Sequence, residues 1–145
     1  MHKNIFKLEN IISYFGILPF FFIVIDLRLF GLITLNFIID FSIFYSLIIF
    51  SFIGAMRWKF FYIQEKIIIL YGFAPSIFST ILIILNLLEF DKRIILIMII
   101  FLLTLQFFID YIICKFHKIE NLFFNYIRVP CTLCIVFSII YIILV

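Results

Sequence analysis

Six residues carry the chemistry this sequence can offer: Arg57, Trp58, Gln106, Asp110, Arg128 and Thr132. Arg57, Asp110 and Arg128 stand at or near the ends of long apolar runs, where ionisable groups are costly and therefore informative. A guanidinium set beside a carboxylate can lock two helices together, or it can hold an anionic group such as a lipid headgroup. Gln106 precedes Asp110 by one helical turn and Thr132 follows Arg128 by one, so each helix presents a polar pair on a single face. Asp110 is expected to be held ionised by Arg57 or Arg128, because an unmatched carboxylate at that depth would take up a proton. As the one acid near the cytoplasmic boundary that could serve a reaction, Asp110 would also be the centre of any enzymatic reading.

The elements that must position these groups follow from composition. Of 145 residues, 68% are apolar and 13% charged, and the mean hydropathy is +1.38. Eleven Lys and Arg with eight Asp and Glu cannot coat the surface of a soluble domain that also carries 23 Phe. The net charge of +3 is scattered rather than striped, which excludes a nucleic-acid binder. A hydrocarbon core of about 30 Å takes about 20 helical residues. Against that ruler five runs emerge, over about 11–25, 41–56, 67–88, 94–114 and 129–145, each bounded by charge or by the chain end. Without strand alternation these are helices. The expected architecture is an all-α membrane domain over 1–145, one bundle of five transmembrane helices with short loops. The first two runs are short, and the apolar stretch 29–39 between them either extends a span or lies in the interface. The first run has a basic start, but Asp26 and Arg28 follow where small residues would mark a cleavage site, so it is read as an uncleaved span.

Alternating sides across five spans places eight Lys and Arg on one side and three on the other, while acidic residues divide four and four. The N-terminus is therefore expected in the cytoplasm and the C-terminus outside. With that orientation Arg57, Asp110 and Arg128 all lie at the cytoplasmic boundary. Pro19 and Pro75 fall about 12 to 14 Å deep by the rise of a helix, and both are expected to kink their helices. Gly72, Ser76 and Thr80, and Ser51 with Ala55, form small-residue stripes suited to close helix contact. Trp58, near Phe60, Phe61 and Tyr62, reads as an interfacial anchor. Asp26, Asp40, Glu89 and Asp91 read as solvated loop charges, with Asp40 as the cap of the second helix.

No cofactor or metal site is expected. Cys131 and Cys134 make one C-x-x-C without a second pair, Cys114 is a single thiol, and His2 and His117 lie outside the spans. No phosphate loop, zinc motif or nucleophile triad is present.

Five ordered segments carry a resemblance. They are Tyr14-Phe-Gly-Ile-Leu-Pro19-Phe, Tyr45 to Trp58 with Ser51, Gly54 and Arg57, Tyr71-Gly-Phe-Ala-Pro75-Ser76, Gln106-Phe-Phe-Ile-Asp110, and Tyr126-Ile-Arg128-Val-Pro130-Cys-Thr132. Together they resemble the small membrane-protein family catalogued as domain of unknown function 3429, to which transmembrane protein 69-like mitochondrial proteins are similar. Ala55, Lys59 and Thr80 depart from that family's pattern of a second Gly, a Gly after the Trp, and a Trp. The resemblance implies one compact inner-membrane domain, in a bacterial plasma membrane or alternatively the mitochondrial inner membrane. It assigns no activity. The leading expectation is a non-enzymatic accessory or assembly component of a membrane complex, whose partners are the lipid bilayer and other membrane subunits or further copies of itself. The alternative is a carrier or lipid- and anion-handling protein using the Arg57, Asp110 and Arg128 cluster.

Overall fold

A computed structural model of the chain describes residues 14–60, 66–116 and 128–145, with side chains described over 14–55, 70–115 and 128–145. The described residues are all-α, without strands. We label the helices α1 (Leu18–Ile25), α2 (Leu35–Phe60), α3 (Lys66–Leu87), α4 (Lys92–Phe116) and α5 (Val129–Leu144), with a single wide turn of π type at Asp26–Phe30 after α1. Three of them hold stretches long and apolar enough to cross a membrane: Leu35–Ala55, Leu70–Leu87 and Lys92–Lys115. α5 is a shorter apolar helix. These helices follow from Ile- and Phe-rich runs in which β-branched stiffness matters little, because lipid offers the backbone no competing hydrogen-bond partner.

Two expectations about the first half change. Residues 35–39 extend the second helix, so Asp40 lies inside α2 instead of capping it. It pairs with Lys92 at 2.6 Å, joining α2 to the start of α4. Pro19 stands in the first turn of α1, preceded by a turn in which the Ile17 N–H donates to Tyr14 O at 3.0 Å. A missing N–H costs nothing at that position, so Pro19 starts a helix and does not kink one. Pro75 does lie inside α3, as expected.

The chain divides into two compact units, residues 1–38 with 100–145, and residues 39–99. In the first, α1 packs against α5. Phe20 and Ile23 are buried on α1, and α5 buries Thr132, Ile135, Ile139 and Ile142, whose spacing of three, four and three marks one helical face. α4 buries Leu103, Gln106, Asp110 and Cys114 at steps of three, four and four, so its polar pair belongs to the inward stripe.

In the second unit α2 and α3 approach closely. The Ser51 hydroxyl donates to Ser79 Oγ at 2.8 Å, and the Ser79 hydroxyl donates to Leu47 O at 3.1 Å. Gly54 faces Gly72 and Pro75. The contact faces are thus Leu47, Ser51 and Gly54 against Gly72, Pro75 and Ser79. The expected stripes through Ala55, Ser76 and Thr80 drift off this face, because each step of four residues over-rotates a helix by about 40°. Ala55 and Thr80 are exposed, and the Thr80 hydroxyl bonds back to Ser76 O at 2.9 Å.

α3 ends in a cap of a defined kind. The Phe90 N–H donates to Leu85 O at 3.1 Å and the Glu89 N–H to Asn86 O at 3.1 Å, with Glu89 at φ 58°. This is the Schellman pattern, whose left-handed residue is usually glycine. Asp91 follows and caps α4, its Oδ1 accepting the Arg93 N–H at 2.9 Å. Glu89→Gly is expected to stabilise the protein by about 1 kcal/mol by removing the Cβ penalty, less what a glycine gains in the unfolded chain. A rise of a few degrees in the thermal midpoint in detergent checks this, and a fall would show that the Glu89 side chain supports the turn.

A buried ion pair as candidate functional site

The last turns of α4 and the first residue before α5 build the most polar interior point among the described residues. Arg128 Nε donates to Asp110 Oδ2 at 3.1 Å, and Arg128 Nη2 lies 3.0 Å from the same oxygen. Nη2 also donates to Gln106 Oε1 at 3.2 Å. Two N–H groups on one edge of the guanidinium thus close on one carboxylate oxygen, while an amide one turn away accepts from the same Nη2. Asp110 and Arg128 are each only 5% exposed. Thr132, one turn into α5, is equally buried, and its hydroxyl has no hydrogen-bond partner among the described residues.

Local sequence explains the placement. Pro130 in the first turn of α5 sets the helix start and leaves Arg128 at its cap position. Gln106 and Asp110 are one turn apart on a helix whose flanking buried residues, Leu103 and Cys114, are apolar. Opposite charges inside such a stripe attract strongly at low dielectric, yet their desolvation consumes much of that gain. Removal of either partner leaves the other charge buried without it.

The structure brings together Gln106, Asp110 and Arg128 by hydrogen bonds and places Thr132 on the buried face that begins at Arg128. Arg57 and Trp58 lie near the end of α2, and their side chains fall outside the described residues. Cys131 and Cys134 are half-buried and Cys114 is buried, and none of the three is in a disulfide. No group of three or more metal-binding side chains occurs among the described residues.

One buried carboxylate contradicts the expectation of solvated loop charges. Asp26 is 7% exposed and accepts backbone N–H groups from Leu32 at 3.3 Å and Ile33 at 3.1 Å. Sequence reasoning placed it in a loop because a charge usually ends a span. The overlooked signal is Gly31, five residues on, which lets the chain fold back over the carboxylate with φ +59°.

No curated protein and no solved structure matches the chain. A family profile does match, over residues 7–144. It covers the ion pair, the Ser51 to Ser79 contact and all five described helices, and the chain belongs to the family of proteins of unknown function DUF3429.

Proposed function

We propose that this chain is a non-enzymatic, polytopic membrane protein that serves as an accessory or assembly component of a larger membrane complex. One observation carries the reading: among the described residues the buried Arg128 charge is met by Asp110 and Gln106, in a site almost without exposure. A carrier must open its charged site to one side of the membrane and then the other, and an ion pair this deeply buried favours a packing role. The exposed apolar faces of α2, α3 and α4 suit lipid and neighbouring helices alike.

In this reading the apolar runs over about 11–25, 41–56, 67–88, 94–114 and 129–145 provide five crossings, with the N-terminus in the cytoplasm and the C-terminus outside, in a bacterial plasma membrane. The excess of Lys and Arg on one side supports that orientation. Single cysteines introduced at each terminus of a cysteine-free variant are expected to react with an impermeant maleimide from opposite sides. Labelling of both termini from one side would remove the five-span topology.

The role itself is tested by native electrophoresis of the tagged protein after mild detergent extraction, with mass spectrometry of the co-migrating proteins. A species much larger than 17.4 kDa with reproducible companions is the expected result. Migration alone, as a monomer or small homo-oligomer, would overturn it and direct attention to anion and lipid binding at Arg57, Asp110 and Arg128.

A further inference from the structure

The connection between α1 and α2 is largely apolar and exposed, and three of its backbone donors are met from within it. After Ile25 the helix widens into one π turn, Asp26–Phe30, and leaves it through Gly31. Three consecutive backbone donors then return to a single residue. The Gly31 N–H donates to Asp26 O at 2.7 Å, the Leu32 N–H to Oδ1 at 3.3 Å and the Ile33 N–H to Oδ2 at 3.1 Å. A loop built for water has no need to bury a carboxylate for this purpose, because water would satisfy the same donors. A turn placed in hydrocarbon has every need, since unsatisfied backbone groups there cost several kcal/mol each.

The side chains around this turn point the same way. Leu29, Phe30, Leu32 and Ile33 are exposed, Leu32 at 83%. Phe22 and Ile25 of α1 and Leu35 and Phe37 of α2 are exposed as well. At its tip nothing lies within 4 Å of the position a Gly31 Cβ would take, so the turn opens there to its surroundings. Arg28 is exposed in the same turn, and its long stem can carry the guanidinium to a phosphate while its neighbours stay in an apolar medium.

We propose that residues 26–33 form a lipid-immersed turn, with Leu29, Phe30, Leu32 and Ile33 packed among acyl chains at the margin of the bilayer and Arg28 reaching headgroup phosphates. The internal carboxylate of Asp26 makes the immersion tolerable by satisfying the backbone donors that water would otherwise meet. This rests on the membrane-spanning reading above and adds to it a specific lipid contact.

The test is spin-label accessibility in nanodiscs of phosphatidylcholine and phosphatidylglycerol. A cysteine-free background (Cys114→Ala, Cys131→Ser, Cys134→Ser) receives Leu32→Cys, with Leu29→Cys as a second position should the first fail to fold. Phe101→Cys, on the exposed face of α4, reports whether the helices are in lipid at all. At Leu32 or Leu29, relaxation by oxygen exceeding that by a water-soluble nickel chelate at least severalfold is the expected result. The reverse order, with Phe101 still oxygen-dominated, would overturn the immersed turn and leave the spanning reading intact. Exclusion of both relaxants would also overturn it, since protein and not lipid would then cover the turn. Nickel access at Phe101 would sink the spanning reading itself. Adding Asp26→Ala to Leu32→Cys should raise nickel access at least twofold, and unchanged access would remove Asp26 from the explanation.

Discussion

Asp110→Ala is expected to be among the most damaging single substitutions in this chain, because it leaves the Arg128 guanidinium buried with its closest acceptor removed. Breaking one side of a buried ion pair typically costs about 3 to 5 kcal/mol, much of it the penalty of the stranded charge. Most of the folded, monodisperse protein should therefore be lost, read as size-exclusion recovery after graded heating in detergent. Asp110→Asn retains an acceptor and should fall between wild type and Asp110→Ala. Arg128→Lys keeps the charge but cannot place Nε and Nη2 on one oxygen while also reaching Gln106, so it should be clearly destabilising as well. Normal stability of Asp110→Ala would mean that the pair does not hold α4 to the start of α5.

Gly54→Ala is the second large effect, and its cause is steric. A Cβ at this position would sit 2.7 Å from Pro75 Cγ and 2.8 Å from the Gly72 carbonyl oxygen. The proline ring can pucker away, but the carbonyl belongs to the backbone of α3 and cannot yield without separating the helices. Overpacking of this kind costs about 1 to 3 kcal/mol. In lipid the loss matters more than in a soluble core, because close packing and hydrogen bonds, not expulsion of water, hold such helices together. The short Ser51 to Ser79 bond, one turn away, would be stretched by the same separation. Pro75→Ala should rescue Gly54→Ala only in part, since the clash with Gly72 O remains. Full rescue, or no loss in Gly54→Ala alone, would show that α2 and α3 can part cheaply.

How much of this was legible in the sequence depends on what marked each feature. The ends of α3, α4 and α5 fall within about two residues of the expected runs, because Lys66, Lys92 and Arg128 stand where polar anchors end apolar helices. The convergence of Gln106, Asp110 and Arg128 was legible for a related reason: few polar groups sit at that depth, and each needs a partner. The start of α2 was not legible. Residues 29–39 are apolar but for Thr34 and Asn36, so only Gly31 and a Thr34 at the helix start distinguish a broken chain from a continuous helix. Asp26 was misread for the same cause, since its partners are backbone N–H groups that exist only once the turn has formed. The α2 and α3 contact was half legible, in that the small residues were visible but their face was not. A repeat of four residues looks straight in sequence and winds around the helix in space.

The most direct measurement is a double-mutant cycle on the ion pair, read both as thermal stability in detergent and as companions on a native gel. Asp110→Leu and Arg128→Met remove both charges with side chains of similar bulk. If the pair only fixes packing, each single variant should lose several kcal/mol while the double variant regains most of that loss and keeps its co-migrating proteins. A double variant that is as stable as wild type but stripped of its companions, or of a phenotype the wild type supports, would contradict a purely structural role and make Asp110 and Arg128 a binding site.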